Sequence, residues 1–466
     1  MTLPDDLAGE DVLTALERSL DDLRRAATRQ GELARDIEVT RDHIEGIRKS
    51  RSWRVLEIYR RARLRAGLSG ASLEAVRAAL KARGAYRRVP GPVRTRPLGV
   101  NLSGYLDTES GMGEAARASI RALEAANVPV ALNNVPSKLR AYDGTYRSAF
   151  VGANPHPFNL VHLNADNMPA FRARRGRRYF KDRYTIGYWF WELSVFRDEW
   201  VPFAGYVDEV WAATEFVRAS VQAKCAVRVV RMPVPVVLPD FVVRSREHFG
   251  IPPGPAVFLY IFDVSSQTER KNPLGAIRAF RRAALPHESA VLVLKFSNPE
   301  YDRPGVRRLH EESDGLNVVM LDGYFDRPDL CALMSLSDCY LSPHRAEGFG
   351  LTLLETMRLG KPVIGTAYSG NMDFMTPENS YLLDHQLVTL TRDYGPYARG
   401  AVWAEPDIDH AAQLIRAVVD HPEAAASRGA RACADVQRDY DPEPCGRQMR
   451  DRLEGIRSGR REQLPA

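Results

Sequence analysis

The sequence has no run of 18 or more apolar residues, the length a helix needs to cross a hydrocarbon core, so no membrane-spanning segment is expected. Cysteine is sparse. The five (Cys225, Cys331, Cys339, Cys433, Cys445) are scattered, with no C-x-x-C pair and no histidine at ligand spacing. That argues against a disulfide scaffold and against zinc, and fits a reduced cytoplasm. The opening residues, MTLPDDLAGED, are acidic and polar, unlike a secretory signal. There is no low-complexity tract and no G-x-G-x-x-G, so a dinucleotide is not indicated. What is present is 466 residues, 44% hydrophobic and 27% charged, enough for two or three domains with sizeable cores.

The signals are densest from His344 to Asp373, HRAEGFGLTLLETMRLGKPVIGTAYSGNMD. A glycine turn, Glu347-Gly348-Phe349-Gly350, runs directly into a helical pattern over Leu351–Leu359, which Gly360 and Pro362 close. Val363–Thr366 reads as a short buried strand, and Ser369-Gly370 belong to a loop of small residues that ends it. A helix that starts on a glycine turn aims unpaired N–H groups and the positive end of its dipole at whatever sits there. That is an anion site, most often for phosphate. Glu347 and Glu355 lie on its two sides. Like charges repel, so carboxylates beside a phosphate suit hydroxyls, and sugar hydroxyls fit.

Upstream, Val257–Phe262 reads as a buried strand, followed by Asp263-Val264-Ser265-Ser266-Gln267-Thr268-Glu269-Arg270-Lys271-Asn272 and a helix over Pro273–Arg282. Arg270 and Lys271 therefore stand at a second helix start, where a diphosphate gains from charge and dipole together. Ala290–Phe296 and Val318–Leu321 are further strands, the latter leading into Asp322-Gly323-Tyr324-Phe325. Asp329–Ser335 reads as helix and Cys339–Ser342 as the strand that feeds the glycine turn.

The first half repeats the alternation. A strand from Leu98 to Leu102, a loop from Ser103 to Gly113 containing Gly111 and Gly113, a helix over Glu114–Ala126 and a strand over Val128–Leu132 make a Rossmann opening. Phe158–Leu163 is a strand ending in a polar tip, Asn164 and Asp166, at the end that faces the ligand crevice in parallel sheets. His162 reads as a satisfied core histidine. In IGYWFWELSVF, Glu192 follows four aromatic residues. Two readings are open: a wall that stacks on a sugar face, with Glu192 bonding hydroxyls, or an aromatic core strand. Thr214 caps a helix over Glu215–Ala223, and the proline-rich Arg231–Asp240 reads as a hinge between domains.

Residues 11–46 carry a heptad seam (Leu13, Leu16, Leu20, Leu23, Ala27, Ala34, Ile37, Ile44), read either as an oligomerisation stalk joining copies of the chain or as a hairpin on its own catalytic domain. Residues 47–67 crowd Arg and Lys against one acid, Glu57, with Trp53, Leu56, Tyr59 and Leu64 as apolar bulk. Such a segment lies readily on an anionic membrane surface or is a solvated helix; nothing else supports nucleic acid. Residues 86–97 read as a linker. Near the end, Asp409–His421 reads as helix, and Asp441-Pro442 as the cap and first turn of another, running to about Ile456.

The frame E-G-F-G-x-x-x-x-E, preceded by a strand and followed by G-x-P-V-I-G-T, resembles the retaining glycosyltransferases of family 4, whose architecture is GT-B, two Rossmann-like domains facing across a cleft. The resemblance spans roughly residues 97 to 440 and is strongest from Asp263 to Asp373. The 47–67 segment is similar to one found ahead of bacterial cell-surface polysaccharide glycosyltransferases. The implied organisation is a helical extension over 1–96, an acceptor-side domain over 97–235, a nucleotide-sugar domain over 236–440 and a helix over 441–466 crossing back to the first domain. The implied activity is transfer of a sugar from a nucleotide-diphosphate donor to a glycan or lipid-linked glycan hydroxyl, with retention, in the cytoplasm or on the inner face of the membrane. Glu355 then binds ribose and Glu347 the donor sugar. Gly348, Phe349, Gly350, Gly323 and Tyr324 supply contacts, with Ser369, Gly370, Gly111 and Gly113 near the donor, and Lys271 with Arg270 hold the diphosphate. The chain departs from the pattern twice. Asn164 stands where an active-site histidine is expected, and Ser265 and Ser266 stand where an arginine is expected. Asn164, Asp166 and Glu192 are the acceptor-side candidates. No cofactor is expected, and no metal, since Asp407-Ile408-Asp409 and Asp439-Tyr440-Asp441 both precede late helices. Two alternatives stay open: a catalytically weak nucleotide-sugar-binding assembly protein, and another GT-B enzyme such as a nucleotide-sugar epimerase.

Overall fold

The structure, a computed structural model, describes residues 91–137 and 143–459. The heptad segment 11–46 and the basic segment 47–67 lie outside the described residues. Of the expected linker 86–97, Gly91–Thr95 is a short helix with Val93 buried.

The first lobe is a six-stranded parallel sheet: β1 (Val100–Gly104), β2 (Val130–Asn134), β3 (Phe158–His162), β4 (Tyr184–Trp189), β5 (Glu209–Ala212) and β6 (Arg228–Arg231), in the order β2-β1-β3-β4-β5-β6. Helices α1 (Gly111–Ala125), α2 (Met168–Phe180) and α3 (Glu215–Lys224) belong to it. The second lobe repeats the plan with β7 (Ala256–Asp263), β8 (Ala290–Ser297), β9 (Val318–Asp322), β10 (Cys339–Ser342), β11 (Val363–Thr366) and β12 (Tyr381–Leu383), in the order β12-β11-β10-β7-β8-β9. Its helices are α4 (Pro273–Ala283), α5 (Arg303–Glu312), α6 (Arg327–Leu336), α7 (Leu351–Arg358), α8 (Ile408–Asp420) and α9 (Pro422–Tyr440). A hairpin of β13 (His385–Thr389) and β14 (Val402–Pro406) projects from it.

The central strands are buried on both faces, so they read as continuous apolar runs rather than alternations; β7 is AVFLYIFD and β8 AVLVLKFS. Each fully buried Val, Leu, Ile or Phe contributes roughly 1.5–3 kcal/mol. The order of each sheet reverses once, between β1 and β3 in the first lobe and between β7 and β10 in the second. Loops diverge at such a switch point and leave a crevice at the carboxyl ends. The fold thereby places residues 105–110 and 163–167 at one crevice, and 264–272 and 343–350 at the other.

Of the expected hinge Arg231–Asp240, Arg231 ends β6 and 232–240 is without helix or strand; its Val236 N–H donates to Tyr440 O at 2.8 Å. The chain then returns: α10 (Pro442–Ser458) packs on α1 of the first lobe. The contact is close, because a Cβ on Gly446 would sit 2.0 Å from Ala122 O. Arg452 of α10 forms a buried ion pair with Glu209 of β5, Nε to Oε1 at 2.9 Å. Asp441 occupies the N-cap position of α10 but caps nothing with its side chain, which pairs instead with Arg358 at 3.3 Å.

Candidate active site

β10 ends at Ser342, and the chain turns through His344 before α7 begins. His344 is buried, and burial keeps its imidazole below its ordinary pKa; Nε2 pairs with Asn371 Oδ1 at 3.0 Å and Nδ1 with Ser342 Oγ at 3.0 Å. Gly350 holds φ +91°, the left-handed region that lets the turn meet the helix without strain. Ser369 and Gly370 sit behind the turn and do not face the cleft: Ser369 Oγ accepts from Glu347 N at 2.8 Å, and Gly370 N donates to Glu347 O at 2.8 Å. Thr214 caps α3 and also reaches across the lobes, its Oγ donating to Gly348 O at 2.9 Å.

Glu347 is buried and accepts from Lys271 Nζ at 2.5 Å, with Arg270 Nη1 at 3.3 Å. Burial pulls its pKa up, but Lys271 and Arg270 outweigh that and hold it down to about 2. The two cations differ. Lys271 lines the cleft, whereas Arg270 is buried behind the turn, donating to Ala346 O at 2.7 Å and Ser266 O at 3.1 Å. Arg270 therefore supports Glu347 and is not among the residues that line the cleft. The one-turn helix Thr268–Lys271 sets their opposite directions.

Glu355, on the second turn of α7, is buried. Its Oε1 accepts from Arg327 Nη2 at 2.6 Å, while Oε2 has no partner among the described residues. Burial raises its pKa, and Arg327 opposes the rise. Arg327 also stands 3.9 Å from Glu114 of the first lobe, which Arg117 and Arg121 hold at 2.9 and 3.4 Å. A chain of alternating charge thus crosses the cleft floor.

The remaining candidates separate by position. Ser265, Ser266, Gly323 and Tyr324 line the cleft in the second lobe; Gly111 and Glu192 line it in the first. Gly111 and Gly113 are not loop residues: Ser110 caps α1 through Gly113 N at 3.1 Å, so both belong to its first turn. Gly113 lies under the loop, where a Cβ would meet Thr108 O at 2.2 Å, and it does not reach the cleft. Asn164 is a strap, its Oδ1 accepting from Phe190 N at 2.8 Å. Asp166 is exposed, bonded to Asn167, and not among the cleft-lining residues. Of the aromatic run, Tyr188, Trp189 and Trp191 are core, and Phe190 and Glu192 reach the cleft. Glu192 hydrogen-bonds the Tyr397 hydroxyl. His162 is buried but not satisfied: both ring nitrogens lack partners among the described residues, the ring stacks on Tyr188 at 4.4 Å, and burial depresses its pKa to about 3.

The cavity between the lobes measures about 570 Å³. Residues 243–433 match the family described as glycosyl transferases group 1. The second lobe is a glycosyl transferases group 1 domain. The chain is 27% identical over 206 residues to the trehalose synthase of Pyrococcus horikoshii, 43% of this chain and 44% of that one. It is 47% identical over 58 residues to the O-antigen biosynthesis glycosyltransferase WclY of Escherichia coli, 12% and 14%. It thus spans less than half the length of these curated relatives. Among solved structures it is similar to HepE of Anabaena in complex with UDP and glucose, at TM-score 0.55 and 16% identity over 77% of this chain and all of that one. Sucrose-phosphate synthase of Thermosynechococcus elongatus gives TM-score 0.57 and 16% identity over 78% and 100%. The fold is GT-B.

In the group 1 domain, sequence reasoning missed Arg327 and Lys295, and in the first lobe Glu114. Each carried a signal: a charge inside an apolar strand for Lys295, and charges in the first turns of α6 and α1 for Arg327 and Glu114. The two D-x-D runs are occupied structurally. Asp407 caps α8, Asp409 pairs with Arg282 at 2.5 Å, and Asp439 and Asp441 pair with Arg438 and Arg358. Among the described residues no three His, Cys, Asp or Glu side chains cluster to hold a metal ion, and no helix is long and apolar enough to cross a membrane.

Proposed function

We propose that the protein is a retaining, metal-independent glycosyltransferase that moves a sugar from a nucleotide-diphosphate donor to an acceptor hydroxyl in the assembly of a polysaccharide or lipid-linked glycan. One observation carries this reading: Lys271, Glu347, the glycine start of α7 and the unpartnered Oε2 of Glu355 line one cleft. Lys271 and the N–H groups at the start of α7 supply positive potential for the diphosphate. In this reading Glu355 Oε2 accepts from ribose hydroxyls, and its being a buried carboxylate oxygen without a donor among the described residues supports that role. Glu347 stays ionised, and its free oxygen positions the donor sugar. In the reaction, the bond from the anomeric carbon to the phosphate oxygen breaks, the acceptor oxygen bonds the same face of that carbon, and its proton passes to the leaving phosphate. The relative named for O-antigen biosynthesis and the neighbour named with UDP and glucose agree with this substrate class.

Thermal stabilisation by a panel of UDP-, GDP-, dTDP- and ADP-sugars tests the donor site. A donor at about 100 times its Kd adds about 2.7 kcal/mol. Glu347→Ala, which removes positioning and leaves Lys271 without its counter-ion, is expected to cut turnover by two to three orders of magnitude, roughly. Near-full transfer by that variant would sink the assignment.

A further inference from the structure

Lys295 is the charged residue of β8, flanked in register by Ile261 of β7 and Leu321 of β9. It is 4% exposed. An ammonium in such a place is costly unless its N–H groups are bonded. Two of them are. Nζ donates to Gly323 O at 2.5 Å and to Phe296 O at 3.2 Å, and it stands 4.6 Å from the centre of the Phe325 ring. An ammonium has three N–H donors, and no third hydrogen-bond partner is present among the described residues. The side chain lines the cleft together with Ser297, Gly323, Tyr324 and Phe325.

Its place along the cleft assigns its ligand. The carboxyl ends follow the order β10, β7, β8, β9, so the span from the first to the last is about 14 Å at the usual strand spacing. The anion-binding features follow β10 and β7: the glycine turn into α7, and Lys271. A nucleotide with its diphosphate there and its ribose against Glu355 has only the ends of β8 and β9 left for its base. Both ends are marked by Lys295 and the Gly323–Phe325 loop.

We propose that Lys295 reads the donor base, giving its remaining N–H to a carbonyl oxygen on the base edge and so selecting uracil, thymine or guanine against adenine. Adenine presents an amine at that edge and would set donor against donor, leaving both unpaired. The inference rests on the reading of the second lobe as the nucleotide-sugar site. It goes beyond that reading by naming the class of base and the residue that chooses it.

Calorimetric titration of the full chain with UDP, GDP and ADP tests it, in wild type and in Lys295→Met. The wild type is expected to bind UDP and GDP at least about 10-fold more tightly than ADP. Lys295→Met is expected to weaken UDP about 10- to 100-fold and to leave ADP within about threefold, so the preference collapses. A lysine that only pins the Gly323 loop would instead weaken all three by the same factor, and that result overturns the proposal, as does a wild type that binds ADP as well as UDP. Should Lys295→Met fail to fold, Lys295→Gln carries the comparison, because its amide has two N–H groups, no more than the Gly323 and Phe296 carbonyls take up, and none left for the base. Binding of every nucleotide without preference removes this inference alone. Binding of none removes the donor-site reading, and the inference with it.

Discussion

Gly370→Ala separates the position of the glycine turn from its chemistry. Gly370 makes no contact with the cleft, yet a Cβ placed on it would lie 2.3 Å from Gly348 O, 2.6 Å from Gly348 C and 2.9 Å from Glu347 O. All three are backbone atoms, so no rotamer change relieves the clash. An ordinary contact requires the Glu347–Gly348 segment to retreat by about 1 Å, and overpacking of this kind costs about 1–3 kcal/mol. The same shift moves Glu347 relative to Lys271 and re-aims the first N–H groups of α7. A misplacement of about 1 Å in a positioning group costs about 100-fold in rate. The assay is release of nucleoside diphosphate from the donor that stabilises the wild type most, with the melting temperature as the folding control. Gly360→Ala is the matched comparison: Gly360 holds φ +73° just past the far end of α7, and a Cβ placed on it would have its nearest neighbour, Cys433 Cβ, 4.0 Å away. Its substitution adds backbone strain of about 1–2 kcal/mol without moving the turn, and turnover should stay near wild type. If Gly370→Ala turned over as fast as Gly360→Ala, the turn would not be held by this contact and the reasoning would fail.

His162→Phe should stabilise the protein and flatten part of its acid profile. Because burial lowers the folded pKa to about 3 from 6.5, the neutral ring's contribution is full above pH 6.5 and is lost as pH falls toward 3, an effect of about 2 kcal/mol at pH 5. Urea midpoints of wild type and variant at pH 7.5 and pH 5 give the difference, and equal slopes would refute it. Arg452→Met leaves Glu209 charged and buried in the first lobe, so a loss of about 3–5 kcal/mol is expected in chemical denaturation; a loss under about 1 kcal/mol would mean the pair is not the tie it looks to be. Flotation with anionic liposomes, comparing the full chain with one lacking residues 1–67, tests membrane attachment through 47–67, and equal binding discards it.

The sequence announced the second lobe more clearly than the first. Strands such as Val257–Phe262 and Ala290–Phe296 were legible because a parallel sheet buries both faces, and the turn at Glu347–Gly350 because glycine placement there answers a backbone demand. Helix α9 was not legible. Its inward face is Ala425, Gly429, Ala432 and Val436, too small and weakly apolar to show a stripe. The highly charged helices α2 and α5 were missed for a related reason, since few of their residues are buried. Within the site, chemistry was easier to read than direction. Arg270 and Lys271 are equivalent as letters, and only the one-turn helix that carries them sends one behind Glu347 and the other into the cleft. Asn164 stands just past the end of β3, and its amide oxygen accepts from the Phe190 backbone, a partner 26 positions away.

The segment that matches the family does not by itself contain everything that packs on the glycine turn. The match to the glycosyl transferases group 1 family runs over residues 243–433 and ends inside α9, before Val436 and Tyr440. Tyr440 closes on Phe349 and Phe374 with ring centres 6.3 and 6.0 Å away, so the turn that carries Glu347 rests on a residue beyond the shared boundary. Thr214, which holds Gly348, lies beyond the other one. A fragment cut at the limits of that match would keep Lys271, Glu347 and Glu355 and lose Thr214 and Tyr440, the two supports of Gly348 and Phe349. In this structure the stretch that matches the family is clamped by residues on both sides of it.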